Sequence, residues 1–430
     1  MRALEDLAYA AHAIAAREIG SRELIDAALD RYRATEPALH AFAWLDPERA
    51  RRIAGERDNE APRGILHGVP VAVKDIYATA GIPTENGSRL FAGRVPDRSA
   101  DVVTALEAAG AIVIGKTVTA ELAYYAPGPT RNPYDRTRTP GGSSQGSAAA
   151  VGAGVVPAAV GSQTNGSVIR PAAFCGTVGY KPTGGRLPTR GALEFSATLD
   201  QVGGFAGTVE SAGWLAAAMA GDAVTEWLGD LPEAPRFAAI RTGDWDAADE
   251  AMRARFQADV DALAAAGGPI EWPDLPPGLD DAVRLIGIVM AYESARAIGP
   301  LAAAHPELVS DQARAIFERG RAIGAEEYED AVNERRRLIV AFSDWSASYD
   351  AILTPPALGE APDVATTGDP RFCSRWTFVG APAIVIPTGL GPAGLPLGLQ
   401  LVAGRGHDRR LLAAARWAEA RLPRPPRPAL

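Results

Sequence analysis

The sequence predicts an α/β protein, and three observations lead to that prediction. Its 430 residues exceed one typical hydrophobic core, so one large domain with insertions and two closely packed domains are both open. Short apolar runs such as 71–73 and 111–114 have the length and β-branched composition of buried strands. Stretches with helical spacing of apolar residues also occur along the chain, and strands together with helices are typical of an α/β protein.

The stretch 141–183 is the most unusual part of the chain. It is dense in Gly, Ser and Ala and carries no charge before Arg170. Small residues at this density allow backbone to approach backbone or a ligand closely. Two serine positions, Ser143/Ser144 and Ser167, are separated by a helix-length run of Ala, Gly and Val. A buried hydroxyl group is costly unless it is hydrogen-bonded or used, so this stretch is either a tightly packed core or a catalytic centre.

The remaining elements follow from periodicity and capping signals. Residues 1–65 read as helical, with Ser21 as an N-cap, and Ser99 is predicted to cap a helix that ends before Gly110. The segment 66–215 is predicted to form the core around the stretch 141–183. The segment 222–348 is predicted to be a helical insertion or cap, with Arg335 to Arg337 on the exposed side of its last helix. The chain then returns to the sheet over 349–422 and ends in a tail, 423–430.

Composition narrows the classes of function. A formal net charge of −9 argues against nucleic acid or anionic membranes as partners, because both require a positive face. Cys175 and Cys373 lack the spacing of a zinc site or of a disulfide framework, so reduced thiols and a cytoplasmic location are the default expectation. No secretion signal is recognisable at the start. We expect neither a metal nor a cofactor.

Two familiar motifs match the sequence in the wrong context. Residues 110–117 read GxxxxGKT, the pattern of a phosphate-binding loop, but the residues between the glycines are themselves a predicted strand. Residues 142–146 read GxSxG, centred on Ser144, but no buried strand precedes them and the late histidines His305 and His407 lie in contexts typical of a surface. We reject nucleotide binding and the hydrolase elbow on these grounds.

Several motifs together resemble the amidase signature family of amide hydrolases. They are LHGVPVAVKD at 66–75, TAELAYY at 119–125, GGSSQGSAAAVGAG at 141–154, NGSVIRPAAFCGTVGYKPT at 165–183, LDQVGGFAGTVE at 199–210 and GLPLGLQLVAG at 394–404. The resemblance implies a single domain over 1–430 with a large mixed β-sheet covered by helices on both faces. It also implies a Ser-cisSer-Lys triad, with Ser167 as nucleophile, Ser143 beside a cis peptide and Lys74 as base.

The chemistry expected of these residues agrees with the resemblance. A serine hydroxyl is a weak nucleophile and needs a positioned base. With no suitable histidine, a lysine would have to fill that role, and only a neutral lysine can do so. Burial beside the strand 71–73 would lower the pKa of Lys74, whereas a structural lysine would extend to water. The backbone N–H groups of Thr164, Asn165, Gly166 and Ser167 are predicted to form the oxyanion hole.

Departures from the family pattern concern the substrate. The family usually has a sequence close to TDxGGSxR around the nucleophile, whereas this chain has Gln163 in place of the acidic residue and an arginine three residues after Ser167. This form resembles a branch of malonamidase-like small amidases. Arg170 is therefore predicted to clamp a substrate carboxylate, the alternative being an arginine that bonds loop carbonyls. Gln163 and Tyr125 are predicted as further substrate contacts.

The sequence thus predicts an amide hydrolase that cleaves the C–N bond of a small linear carboxamide through an acyl-enzyme. A carboxylate-bearing monoamide is one candidate substrate. Two alternatives stay open: the glutaminase subunit of an amidotransferase, and a catalytically silent binding protein on the same fold. A small-molecule amide is the expected partner, and a homodimer is compatible with the sequence.

Overall fold

A computed structural model describes residues 1–430, and one sheet of eleven strands runs through it. The strands are β1 (Phe42–Leu45), β2 (Pro70–Lys74), β3 (Ile112–Thr117), β4 (Ala158–Gln163), β5 (Val178–Lys181), β6 (Gln201–Ala206), β7 (Phe237–Ala239), β8 (Ile270–Glu271), β9 (Ala351–Thr354), β10 (Ala383–Leu390) and β11 (Pro396–Val402). Their order across the sheet is β1-β3-β2-β4-β6-β5-β10-β11-β9-β7-β8.

The sheet is mixed. Strand β2 runs parallel to β3 and β4, and β7 runs parallel to β8 and β9. The remaining pairs, including β4 with β6 and β10 with β11, are antiparallel. This arrangement confirms the predicted α/β fold with a large mixed sheet. The three strands β2, β3 and β4 are buried along their whole length, which is why their sequences are apolar or small rather than alternating.

Fourteen α-helices accompany the sheet. They are α1 (Leu7–Ala15), α2 (Ser21–Leu39), α3 (Pro47–Asp58), α4 (Asp101–Ala108), α5 (Gln145–Gly152), α6 (Ile169–Cys175), α7 (Val209–Ala220), α8 (Glu250–Ala265), α9 (Ala282–Ala297), α10 (Gly299–Ala304), α11 (Asp311–Ala322), α12 (Ala325–Ser346), α13 (Arg371–Phe378) and α14 (Asp408–Glu419). One continuous apolar cluster joins residues from the first helices to the last. None of the helices combines the length and the apolar composition needed to cross a bilayer.

Several elements differ from the sequence-based expectation. Strand β1 interrupts the N-terminal part that was predicted as helical, and β7 and β8 add two short strands within the segment 222–348. Helix α13 was not predicted at all, because its sequence RFCSRWTF is short and carries two arginines. These short elements are specified by pairing and packing with distant parts of the chain, which a local pattern does not record.

The two predicted N-caps are each wrong by one residue. Helix α2 is capped by Gly20, and Ser21 is its first residue, held by the Asp58 carboxylate, which accepts from the Ser21 N–H at 2.6 Å. Helix α4 is preceded by Ala100, while the Ser99 hydroxyl accepts from the N–H of Ala80 at 3.0 Å. The predicted basic face of α12 also needs correction: Arg335 is half-buried and donates to the carbonyl of Phe378.

The structure agrees with the rejection of both familiar motifs. Strand β3 includes the lysine and threonine of the GxxxxGKT match, and Lys116 is buried beside Asp75, with 3.3 Å between Nζ and Oδ1. No strand leads directly into the GxSxG match, and the Ser144 hydroxyl donates to the carbonyl of Ser162. His305 and His407 are exposed.

Candidate active site

Lys74 ends strand β2, which lies between β3 and β4, and its side chain is fully buried. Nζ lies 2.8 Å from Oγ of Ser143 and 2.8 Å from Oγ of Ser162. No carboxylate forms an ion pair with it. Burial lowers the pKa of Lys74 to about 7, against an opposing effect from the Asp200 carboxylate. Lys74 is therefore a lysine that can accept a proton near neutral pH.

Ser143 reaches Lys74 from a tight turn just before helix α5. Gly141 has φ +83°, and a Cβ there would lie 2.6 Å from Cα of Pro171, so only glycine fits. The peptide bond between Gly142 and Ser143 is cis, as the resemblance implies. The Arg170 guanidinium fixes the same turn, since Nη2 donates to the carbonyl of Gly142 at 2.7 Å.

Ser167 lies in the loop between strand β4 and helix α6. A side chain at Gly166 would bring its Cβ within 2.8 Å of Nη1 of Arg170, so the loop approaches that arginine as closely as glycine allows. Ser167 and Ser143 line the same small cleft, of about 20 Å³, which we call the catalytic cleft. No hydrogen bond joins the two hydroxyl groups. The structure thus links Lys74 directly to Ser143 and places Ser167 beside them.

The predicted oxyanion hole has free donors. The backbone N–H groups of Asn165, Gly166 and Ser167 make no hydrogen bond within the protein, and all three residues line the catalytic cleft. The Thr164 hydroxyl donates to Oδ1 of Asp200 at 2.5 Å. Free N–H groups beside a serine hydroxyl are what a developing oxyanion requires.

Arg170 bonds loop carbonyls, the structural alternative that the sequence left open, and it keeps one nitrogen free. Nε donates to the carbonyl of Thr367 and Nη2 to that of Gly142, both at 2.7 Å, so this arginine holds two loops together. Nη1 is buried without a hydrogen-bond partner, and so is Oγ1 of Thr367. Both residues line the catalytic cleft, as does Tyr125. The cleft therefore contains two unsatisfied polar groups, which is unusual for buried atoms.

The side chain of Gln163 is turned away from the cleft. Its Oε1 accepts from the N–H groups of Val168 and Ile169, at 2.8 and 3.0 Å, and its Nε2 donates to Oγ1 of Thr377 at 2.8 Å. It is buried and does not line the cleft. These contacts give Gln163 the role of holding the loop that carries Ser167 against helix α6, rather than the substrate contact that the sequence predicted.

Three contributions to the site were not predicted from the sequence. Ser162 supplies a second hydroxyl to Lys74. Asp200 accepts from Thr164 and from the N–H groups of Phe195 and Ser196, and burial raises its pKa to about 6. Helix α13 supports the loop that carries Ser167, because the Ser374 hydroxyl donates to the side chain of Asn165 at 2.6 Å. The motif at 199–210 contains Asp200, but nothing in that run distinguishes it from a surface aspartate.

This fold and this site define a class of amide-hydrolysing enzymes. The Amidase family model matches residues 23–412, and the chain belongs to that family. A glutamyl-tRNA(Gln) amidotransferase subunit from Anaeromyxobacter dehalogenans is 34% identical, over 96% of both chains.

Two solved structures show the same fold. A structure described as an amidase is 30% identical, covers 97% of this chain and 100% of its own, and has a TM-score of 0.89. A glutamyl-tRNA(Gln) amidotransferase subunit from Thermotoga maritima is 29% identical, covers 95% of both chains and has a TM-score of 0.77. The large mixed sheet with its helices is thus the fold of this family.

The buried amine of Lys74 should lower the stability of the protein. Its pKa falls from 10.5 to about 7 on folding, a shift that corresponds to about 5 kcal/mol for the protonated form. Replacing Lys74 also removes the hydrogen bonds of its Nζ to Ser143 and Ser162, which would cost about 3 kcal/mol and offset part of this stabilisation. We expect Lys74→Met to raise the free energy of unfolding by about 2 kcal/mol at pH 6, measured by urea denaturation.

The pH dependence of this gain has a definite sign. Between pH 7 and pH 10.5 the unfolded state binds a proton at this lysine that the folded state does not bind. The cost of burying Lys74 is therefore complete below pH 7 and declines as the pH rises towards 10.5. The increase in the free energy of unfolding of Lys74→Met should therefore disappear at pH 10. If Lys74→Met is less stable than the wild type at pH 6, the lowered pKa of Lys74 is contradicted.

Proposed function

We propose that this protein hydrolyses the C–N bond of a small linear carboxamide. The observation that carries the proposal is the contact of 2.8 Å between Nζ of the buried Lys74 and Oγ of Ser143, in a cleft that also contains Ser167. A lysine with a pKa of about 7 and no paired carboxylate is suited to accept the proton of a nucleophilic hydroxyl.

The proposed reaction has two halves. Ser167 Oγ attacks the carbonyl carbon, and its proton passes through Ser143 to Lys74. The N–H groups at 165–167 stabilise the oxyanion. The C–N bond breaks as the proton returns from Lys74 through Ser143 to the leaving nitrogen, which departs as an amine and leaves an ester on Ser167. Water then attacks the ester carbonyl and gives a proton through Ser143 to Lys74; the C–O bond to Ser167 breaks as that proton returns to Ser167 Oγ, and the carboxylic acid is released.

A carboxylate on the acyl side of the substrate would satisfy the free groups in the cleft. Nη1 of Arg170 and Oγ1 of Thr367 lack partners in the protein, and both could donate to a carboxylate. The closed part of the cleft, about 20 Å³, has room for a group of about the size of one water molecule, which disfavours long or branched acyl chains. Short monoamides of dicarboxylic acids meet both conditions.

The experiment that tests the substrate class compares kcat/KM for such monoamides with neutral carboxamides of the same length. Thr367→Val removes the free hydroxyl with little change in shape, and Arg170→Lys keeps a charge. We expect each variant to lower the ratio of anionic to neutral turnover at least tenfold. An unchanged ratio in both variants would exclude the carboxylate site. Arg170→Ala is a poorer variant, because it also releases the carbonyls of Gly142 and Thr367.

The second candidate is the glutaminase subunit of an amidotransferase. The identity of 34% over 96% of both chains with the Anaeromyxobacter amidotransferase subunit favours it. The higher TM-score to a structure described as an amidase, 0.89 against 0.77, favours the first candidate. Hydrolysis of glutamine only after mixing with partner subunits, and no turnover of other amides by the chain alone, would identify the second candidate as correct.

A further inference from the structure

A second cavity lies beside the catalytic cleft. It measures about 430 Å³ and is lined by residues 189–195, by Ala197 and by the start of strand β6. We call it the side cavity. Its volume falls in the usual range for small-molecule sites, roughly 300 to 1,000 Å³. The catalytic cleft, of about 20 Å³, cannot enclose both halves of a substituted amide.

The side cavity and the catalytic cleft adjoin each other at three residues. Ala123, Thr164 and Phe195 line both spaces. Lys74 lies between them through its two hydroxyl partners, since Ser143 lines the cleft and Ser162 lines the side cavity. A group that leaves the carbonyl carbon near Ser143 therefore has this space next to it.

The other neighbour of the cleft is an open vestibule of about 610 Å³. It shares Tyr124, Tyr125, Asn165 and Met290 with the cleft and none of the residues that the cleft shares with the side cavity. The cleft therefore adjoins two different spaces, through two different sets of side chains. One space can admit the substrate while the other holds part of it.

The cleft and the side cavity differ in charge. The cleft contains the free Nη1 of Arg170. The side cavity instead contains the half-buried carboxylate of Asp200 and the exposed Glu194, which makes no ion pair or hydrogen bond. Its one cation, Arg190, is paired with Asp101 at 2.8 Å. The side cavity therefore favours a cationic group or a hydrogen-bond donor.

We propose that the side cavity binds the leaving-amine half of the substrate, and that the preferred substrates are N-substituted amides whose amine part carries a second, cationic amino group. This inference rests on the proposed function. The arginine of the cleft and the carboxylates of the side cavity would then orient the scissile bond, with the acyl carboxylate towards Arg170 and the amine towards Glu194. The apolar side chains of Ile76, Leu193 and Val202 provide the surface for the methylene groups between the two nitrogens.

The test uses the full chain and three amides of one dicarboxylic acid: the primary amide, the N-propyl amide and the N-(3-aminopropyl) amide. We expect kcat/KM for the aminopropyl amide to exceed that for the propyl amide at least fivefold, and Glu194→Gln to reduce this preference to below twofold. Ala192→Phe fills the side cavity and should lower the ratio of N-substituted to primary amide turnover at least tenfold. Ala197→Trp, in an exposed part of the loop, provides the same test if Ala192→Phe does not fold.

The control is Ala303→Trp, at an exposed position of helix α10 far outside the lining of the side cavity, which should leave the ratio within twofold of wild type. Turnover of the primary amide with no turnover of either N-substituted amide would overturn this inference and leave the proposed function standing. An unchanged ratio of N-substituted to primary amide turnover in both Ala192→Phe and Ala197→Trp would likewise overturn this inference and leave the proposed function standing. Absence of turnover with all three amides would count against the proposed function itself.

Discussion

Ser167→Ala is expected to lower kcat for amide hydrolysis by at least about 10⁴-fold. Ser167 carries one of the free N–H groups at 165–167, whereas Ser143, the other serine of the cleft, is engaged by Lys74 and is assigned to the proton relay. In serine hydrolases with a comparable triad the loss of the nucleophile costs about 10⁶-fold. The residual rate would come from the oxyanion hole and from substrate binding. Steady-state turnover of a short monoamide by the purified variant measures the effect.

Ser144→Ala is the matched control for this variant. Ser144 adjoins Ser143 in the chain and is equally buried, but its hydroxyl donates to the carbonyl of Ser162 and does not line the catalytic cleft. We expect its loss to cost about 1 kcal/mol of stability and less than tenfold in kcat. The reverse order of effects would identify Ser144 as the nucleophile and reinstate the GxSxG interpretation.

Lys74→Met is expected to lower kcat/KM at pH 7 by about 10³- to 10⁴-fold, since the proton of Ser167 then has no acceptor beyond Ser143. Lys74→Arg should be no better, because a guanidinium group stays protonated and cannot act as a base. Lys74→Met should at the same time be the more stable protein, which separates a lost function from a lost fold. Activity and unfolding free energy measured on the same preparation test both statements.

Lys181 provides the control for a buried lysine without catalytic geometry. Burial lowers its pKa to about 7 as well, but Nζ donates to the carbonyls of Pro182 and Ala381 and to Oε1 of Gln201. It touches no hydroxyl group of the cleft. By the balance used for Lys74, Lys181→Met loses three hydrogen bonds where Lys74→Met loses two, so we expect its free energy of unfolding at pH 6 to stay within about 1 kcal/mol of wild type and kcat/KM to change less than tenfold. A loss as large as that of Lys74→Met would show that burial of lysine in this sheet, not contact with Ser143, governs activity.

The comparison of these lysines explains how far the sequence could predict the site. Lys74, Lys116 and Lys181 all follow apolar runs, all are buried, and all have a lowered pKa. Local pattern alone did not single out Lys74; the family resemblance did so, together with the two serines. The buried strands around 141–183 were predictable because small and β-branched residues have few other places to pack.

The missing parts of the site depend on long-range packing. Asp200 reaches Thr164 across 36 residues and Ser374 reaches Asn165 across 209. Helix α13 buries Arg375 against the carboxylates of Asp244 and Asp280, a pairing invisible in the sequence. A short segment that contains charged residues is predicted as a surface loop, because the distant partners of those charges are not visible in the sequence. The role of Gln163 was missed for a related reason, since its partners are backbone N–H groups.

The pH dependence of kcat/KM tests most directly the claim that Lys74 acts as a neutral base. Lysine is neutral above its pKa, so kcat/KM for a substrate that does not titrate between pH 5 and 9 should rise with pH and level off above an inflection near 7. The residual activity of Lys74→Met should lack this rise. A flat profile from pH 5.5 to 9 in the wild type, or the same inflection retained in Lys74→Met, would contradict the assignment of Lys74 as the base.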